Sequence, residues 1–112
     1  MVDDEEALRS VAKRILQRHG HEVHLAADGQ AALTLLGAFT YDVVLCDVRM
    51  PTLSGLELYR ELKQHHPDAL RHFVLTTGDI ADPETHRFIT ETNVAVLLKP
   101  FEVQGLLQAV AA

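Results

Sequence analysis

Apolar positions along this chain alternate between two kinds of run. Ala7, Leu8, Val11, Ala12, Ile15 and Leu16 recur at helical spacing on one face, with Arg9, Lys13, Arg14 and Arg18 outside it. Asp3, Asp4, Glu5 and Glu6 precede this helix and the bases lie toward its end, the distribution that the helix dipole favours. Gly20 is its stop. Glu22 to Ala26 reads as a short strand, Asp28-Gly29 as a turn, and Ala32, Leu33, Leu35, Leu36 and Phe39 as a second helix. Val43, Val44, Leu45 and Cys46 then form an unbroken apolar run ending on Asp47. A continuous run, rather than an alternating one, is what a strand covered on both faces of a parallel sheet requires.

The second half repeats the alternation. Pro51 and Gly55 mark a loop, and Ser54 with Glu57 three positions on has the spacing of a capping box. Leu58, Tyr59 and Leu62 give the third helix its buried stripe, with Pro67 beyond its end. Phe73 to Leu75 form a strand running into Thr76, Thr77 and Gly78. Asp82-Pro83 reads as an N-cap with proline at the first helical position, and Phe88 and Ile89 anchor that fourth helix. Ala95 to Leu98 make the last strand, closed by Lys99-Pro100, and Val103, Leu106, Leu107 and Val110 outline a final helix. Alternating strands and helices with short connections predict right-handed crossovers, hence one doubly wound α/β domain over residues 1–112. Its first strand has only Met1 and Val2 to form it.

Composition narrows the possibilities. At 47% hydrophobic, 112 residues can form a core, which excludes a disordered chain. A net charge of −6 argues against a direct nucleic-acid surface. Cys46 is the single cysteine, so no intramolecular disulfide can form, and its place in an apolar run marks a packed thiol. No apolar stretch approaches the ~20 residues of a membrane span and the start is not signal-like, so no membrane partner and a cytoplasmic setting are expected. The seven histidines show no metal-ligand spacing, and His65-His66 reads as a helix-end pair.

The chemistry lies at the strand ends. Asp3-Asp4, Asp47, Thr77 and Lys99 each follow or close a predicted strand. In an open parallel sheet such ends share one edge, where ligand sites form. Three carboxylates at one place repel, and each resists ionisation unless a cation is present. A hard divalent ion such as Mg2+ suits carboxylate, carbonyl and water ligands. Asp47 can then act as a nucleophile toward a phosphoryl group, with Thr77 donating a hydrogen bond to it and Lys99 supplying positive charge.

Asp3-Asp4, Asp47 within DVRMP, Thr77-Gly78 and Lys99-Pro100-Phe101, in this order and spacing, resemble the receiver domain of two-component response regulators. The resemblance implies a flavodoxin-like sheet of five strands in the order 2-1-3-4-5, with the truncated first strand at an internal position. It implies that Asp47 accepts a phosphoryl group from a phosphohistidine on a sensor histidine kinase or phosphotransfer protein. Asp4 and Asp47 would hold Mg2+ directly with the main-chain carbonyl of Arg49, and Asp3 mainly through water. Thr77 and Lys99 would contact the phosphoryl group, and the Lys99-Pro100 peptide would be cis. The family often carries an aromatic switch residue three positions before the lysine; here that position is Val96.

Two alternatives belong to other classes. A degenerate receiver would bind partners without phosphorylation, but the full set Asp3, Asp4, Asp47, Thr77 and Lys99 speaks against it. An Mg2+-dependent aspartyl-phosphate phosphatase commonly has a second Asp two positions after the nucleophile, where this chain has Arg49. The chain is thus expected to be a phosphoacceptor rather than a turnover enzyme. The TTGDIADPET loop and the ending at Ala112 look more like the receiver of a hybrid sensor kinase than that of a transcription factor. Loss of most of an internal strand would expose its two neighbours, so reduced stability, or a strand borrowed through a homodimer or swap, is also expected.

Overall fold

The computed structural model describes residues 1–111. Among them five helices are formed: α1 (Glu6–Arg18), α2 (Gly29–Ala38), α3 (Gly55–His65), α4 (Pro83–Thr92) and α5 (Val103–Ala111). Three strands among the described residues, β1 (Val44–Asp47), β2 (Phe73–Thr77) and β3 (Ala95–Leu98), pair in parallel in the order β1-β2-β3. A 3-10 turn, Pro67–Leu70, follows α3.

The sheet differs from the expected five regular strands. Its first two members are reduced to bridges, with Val2 pairing in parallel to Ala26 on one side and Cys46 on the other. Val2 N–H donates to Leu45 O at 2.7 Å, and Val2 O accepts from Asp47 N at 2.9 Å. Asp3 N–H donates to Ala26 O at 3.1 Å, and Ala26 N–H to Met1 O at 2.9 Å. Across the sheet the segments run Ala26, Val2, β1, β2, β3, which is the implied 2-1-3-4-5 order. One residue therefore occupies the internal position and binds both neighbours at that level. The Glu22 to Ala26 strand does not extend beyond its bridge, because Val2 offers only one rung for it to pair with.

Two apolar layers flank the sheet. On one side Ala32 of α2, Leu56, Leu58 and Leu62 of α3 and Phe88 of α4 pack with Val44, Cys46, Phe73 and Leu75. On the other, Ala12 and Leu16 of α1 and Leu106 of α5 pack with Leu45 and Val74. Strand alternation sends odd and even residues to opposite layers, so β1 and β2 are buried at every position, as their continuous apolar runs require. β3 is an edge strand, and Ala95 and Leu98 are exposed. Val11 also departs from its predicted stripe and is exposed, since α1 buries chiefly Ala12 and Leu16.

Local signals place the helix ends. Ser54 Oγ accepts from Glu57 N at 3.1 Å while Glu57 accepts from Ser54 N at 3.0 Å, completing the capping box. Asp28-Gly29 is not a free turn: Asp28 caps α2 by accepting from Ala31 N at 2.8 Å, and Gly29 is the first helical residue. The same carboxylate geometry serves an Asx turn and an N-cap, and the helix that follows decides between them. Gly20 takes φ +85 just after α1, and Asn93 takes φ 55 after α4.

Candidate functional site

Asp47 ends β1 and Asp3 follows the Val2 bridge, so adjacent parallel segments bring the two carboxylates to the same edge. Asp4 comes next, where the chain turns toward α1. One oxygen each from Asp3, Asp4 and Asp47 lie within 4.8 Å of one another. Asp3 is fully buried, Asp47 nearly so, and Asp4 is exposed. Lys99, just beyond β3, reaches back across the sheet edge. Its Nζ lies 2.7 Å from Asp3 Oδ2 and 3.2 Å from Asp47 Oδ2.

This geometry sets the electrostatics. Burial raises the Asp47 pKa above the ordinary carboxylate value; the Lys99 charge pulls it back, and the Asp3 charge raises it further. For Lys99, burial opposes the charge, but the Asp3 hydrogen bond and the charges of Asp47 and Asp3 outweigh it, so its pKa is raised. Lys99 thus neutralises part of a three-carboxylate cluster. The remaining negative charge, offered by oxygen donors with Asp4 open to solvent, fits a hard divalent cation.

Asp3 has both oxygens engaged: Oδ1 accepts from Glu5 N at 2.9 Å and Oδ2 from Lys99. Asp4 and Asp47 are correspondingly freer to meet a ligand. Arg49 is exposed, with its guanidinium 3.5 Å from Asp82 Oδ1 at the start of α4. The Lys99-Pro100 peptide is cis. Val96 sits half-buried on β3, paired with Leu75.

Thr77 ends β2, one residue past the Cα partner of Asp47, which is Thr76. Its Oγ1 accepts from Asp79 N at 3.0 Å. Thr76 Oγ1 is buried without a hydrogen-bond partner among the described residues. Adjacent strand residues face opposite layers, so the two threonines are not interchangeable.

Three supporting residues escaped the sequence reading. Arg9 Nη1 donates to Asp3 O at 2.7 Å, folding α1 back onto the acidic turn. Gly55 begins α3 against the Asp47 carbonyl, where a Cβ would collide with main chain, and its N–H donates to Val48 O at 2.8 Å. Asp79 Oδ1 accepts from Ala81 N and Asp82 N, each at 3.1 Å. Arg9 carried only a helix-surface signal, and Asp79 only that of a turn residue. Gly55 carries only the signal of a loop marker in the sequence.

Comparison with known proteins identifies the family and the fold. The family described as response regulator receiver domain matches residues 1–111. The chain is 35% identical over 112 residues to the sensor kinase CckA of Brucella abortus, covering 98% of this chain and 12% of that protein. It is 37% identical over 112 residues to the response regulator MprA of Mycolicibacterium vanbaalenii, covering 100% of this chain and 48% of the relative. The chain therefore spans about half, or much less, of the curated relatives it matches. Among solved structures, the Vibrio cholerae chemotaxis protein CheY4 superposes with a TM-score of 0.87 at 29% identity, covering 98% of this chain and 92% of that one. No helix among the described residues is long and apolar enough to cross a membrane. In sequence, fold and the convergence of its strand ends, the chain belongs to the response regulator receiver domain family of two-component signalling.

Proposed function

We propose that residues 1–112 act as one phosphoacceptor unit in which Asp47 receives a phosphoryl group from a phosphohistidine of a histidine kinase or phosphotransfer protein in the cytoplasm. The observation that carries this reading is the cluster itself: three carboxylates with oxygens within 4.8 Å, and Lys99 Nζ 3.2 Å from Asp47. An Asp47 oxygen attacks phosphorus, the phosphorus–nitrogen bond breaks, and its electron pair stays on the imidazole, which takes up a proton. The product is an acyl phosphate. Asp4, Asp47 and the main-chain carbonyl of Arg49 would hold Mg2+, with Asp3 acting through water. The ion supplies charge neutralisation between the carboxylates and the incoming phosphoryl oxygens.

The chain's own groups have distinct tasks. Lys99 holds Asp3 and Asp47 together and offers its charge to the transferred group. Asp3 orients Lys99, and Arg9 orients the Asp3 main chain. Thr77 donates its hydroxyl proton to a phosphoryl oxygen. Both a sensor kinase and a response regulator stand among the relatives, so either context is compatible with this role.

The test is incubation with acetyl phosphate and Mg2+, read by intact mass beside Asp47→Asn. One phosphoryl adduct that needs Mg2+ and is lost in Asp47→Asn is expected. A folded wild-type chain that gains no adduct refutes the reading and points to a module that binds partners without phosphorylation.

A further inference from the structure

Resting on the reading of the acidic cluster as a Mg2+-dependent phosphoacceptor site, we propose that Arg9 is a positioning residue for the metal. Its hydrogen bond to the Asp3 carbonyl fixes the Asp3–Asp4 peptide and so aims Asp4. Asp3 is 0% exposed, so its carbonyl oxygen meets no water and needs a donor from the protein. The backbone ladder does not provide one. Asp3 N–H donates to Ala26 O at 3.1 Å, and the bridge between Val2 and Ala26 goes no further among the described residues. Arg9 Nη1 fills that gap at 2.7 Å.

The place of Arg9 in α1 points the same way. It is the fourth helical residue, near the end where the helix dipole disfavours a cation, whereas Arg18 lies in the last turn, where the dipole favours one. Helical side chains lean toward the N-terminus, so an arginine in this turn can fold back onto the acidic turn. The contact is made to main chain. The Asp3 carboxylate already accepts from Glu5 N at 2.9 Å and from Lys99 Nζ at 2.7 Å. Arg9 is therefore not the charge partner of that side chain; it holds the peptide behind it.

Asp4 depends on this bond. Its side chain is exposed, so packing does not hold it, and the peptide that carries it is the one whose oxygen Arg9 binds. Without Arg9 the Asp3 carbonyl is left buried and unpaired. The peptide then rotates to find a donor and takes Asp4 out of the group of carboxylate oxygens that lie within 4.8 Å of one another. Charge and position act in opposite directions here. A guanidinium beside a dication repels it, whereas a ligand held in place binds it better. The sign of the change on removing Arg9 tells the two apart.

The experiment is calorimetric titration of the whole chain with Mg2+ alone, with thermal melts in EDTA as the fold control. Arg9→Met should weaken Mg2+ binding about tenfold, although it removes a positive charge. Arg9→Lys keeps the charge on a shorter stem and should weaken binding several-fold, where charge alone predicts no change. In an Asp4→Asn background, Arg9→Met should cause no further loss, because the ligand it aims is gone. A general loosening of the fold would instead subtract equally in both backgrounds. Unchanged or tighter binding in Arg9→Met overturns the inference, and so do additive losses with Asp4→Asn. If Arg9→Met does not melt cooperatively, Arg9→Lys decides, and wild-type affinity there overturns it. A wild type that binds Mg2+ but takes no adduct from acetyl phosphate removes the phosphoacceptor reading and leaves the role of Arg9 standing. A wild type that binds no Mg2+ overturns both.

Discussion

Replacing Lys99 with Met tests whether the site is held together by charge. The substitution keeps an unbranched stem and removes the cation lying 2.7 Å from Asp3 and 3.2 Å from Asp47. Asp3 would be left with a side chain at 0% exposure and no cation on its carboxylate. Removing one partner of a buried pair costs ~3–5 kcal/mol. The lower end applies, because Lys99 is 20% exposed and water screens part of the interaction. A loss of about 3 kcal/mol corresponds to a melting-temperature drop of roughly 10–20 °C for a domain of this size.

The pH dependence gives the sharper criterion. The Asp47 pKa is raised in the fold, so the native state holds that proton more tightly than the unfolded chain. Stability then falls as pH rises from the ordinary carboxylate value through the raised one. Lys99 lowers the Asp47 pKa, so its removal raises it further and widens that window upward. The deficit of Lys99→Met should therefore be largest near pH 8 and shrink as pH falls toward the ordinary carboxylate range near ~4. Urea melts of both proteins across this range measure it. Mg2+ should also raise the melting temperature of Lys99→Met more than that of the wild type, since a bound cation supplies the missing charge. A deficit that is the same at every pH, or below ~1 kcal/mol at pH 8, would refute the account.

Further outcomes follow from single contacts. Gly55→Ala sets a Cβ against the Asp47 carbonyl, and overpacking of this kind costs about 1–3 kcal/mol; a lowered melting temperature with a reduced acetyl phosphate adduct is expected. Thr76→Val removes a buried hydroxyl that has no partner among the described residues, so stability in urea should rise by about 1 kcal/mol while adduct formation continues. Thr52 takes φ 65, a region costing a β-branched residue about 1–2 kcal/mol. Thr52→Gly should therefore gain up to about 1 kcal/mol after the greater chain entropy of glycine is deducted, as read by thermal melts.

Features legible in the chain were those whose physics is local. The Ser54–Glu57 capping box, the Asp82-Pro83 helix start and the Gly20 stop each depend on residues a few positions apart. Continuous apolar runs likewise identified β1 and β2, because burial on both faces leaves a direct imprint on composition. The order of Asp3-Asp4, Asp47 and Lys99 marked the edge where these side chains meet, since parallel strands must deliver their carboxyl ends together.

Tertiary structure decided how those groups share their partners. Only the fold shows one residue, Val2, serving as the internal strand between Ala26 and Cys46. Only the fold has Lys99 lie closer to Asp3 than to Asp47, and engages the Thr77 hydroxyl with Asp79 rather than leaving it free. Arg9 and Gly55 acquired their roles in the same way, through a carbonyl reached by a returning side chain and a backbone approach that admits no Cβ. Such contacts join segments remote in sequence over distances of a few ångströms. Their strength depends on burial and orientation, which residue spacing does not encode.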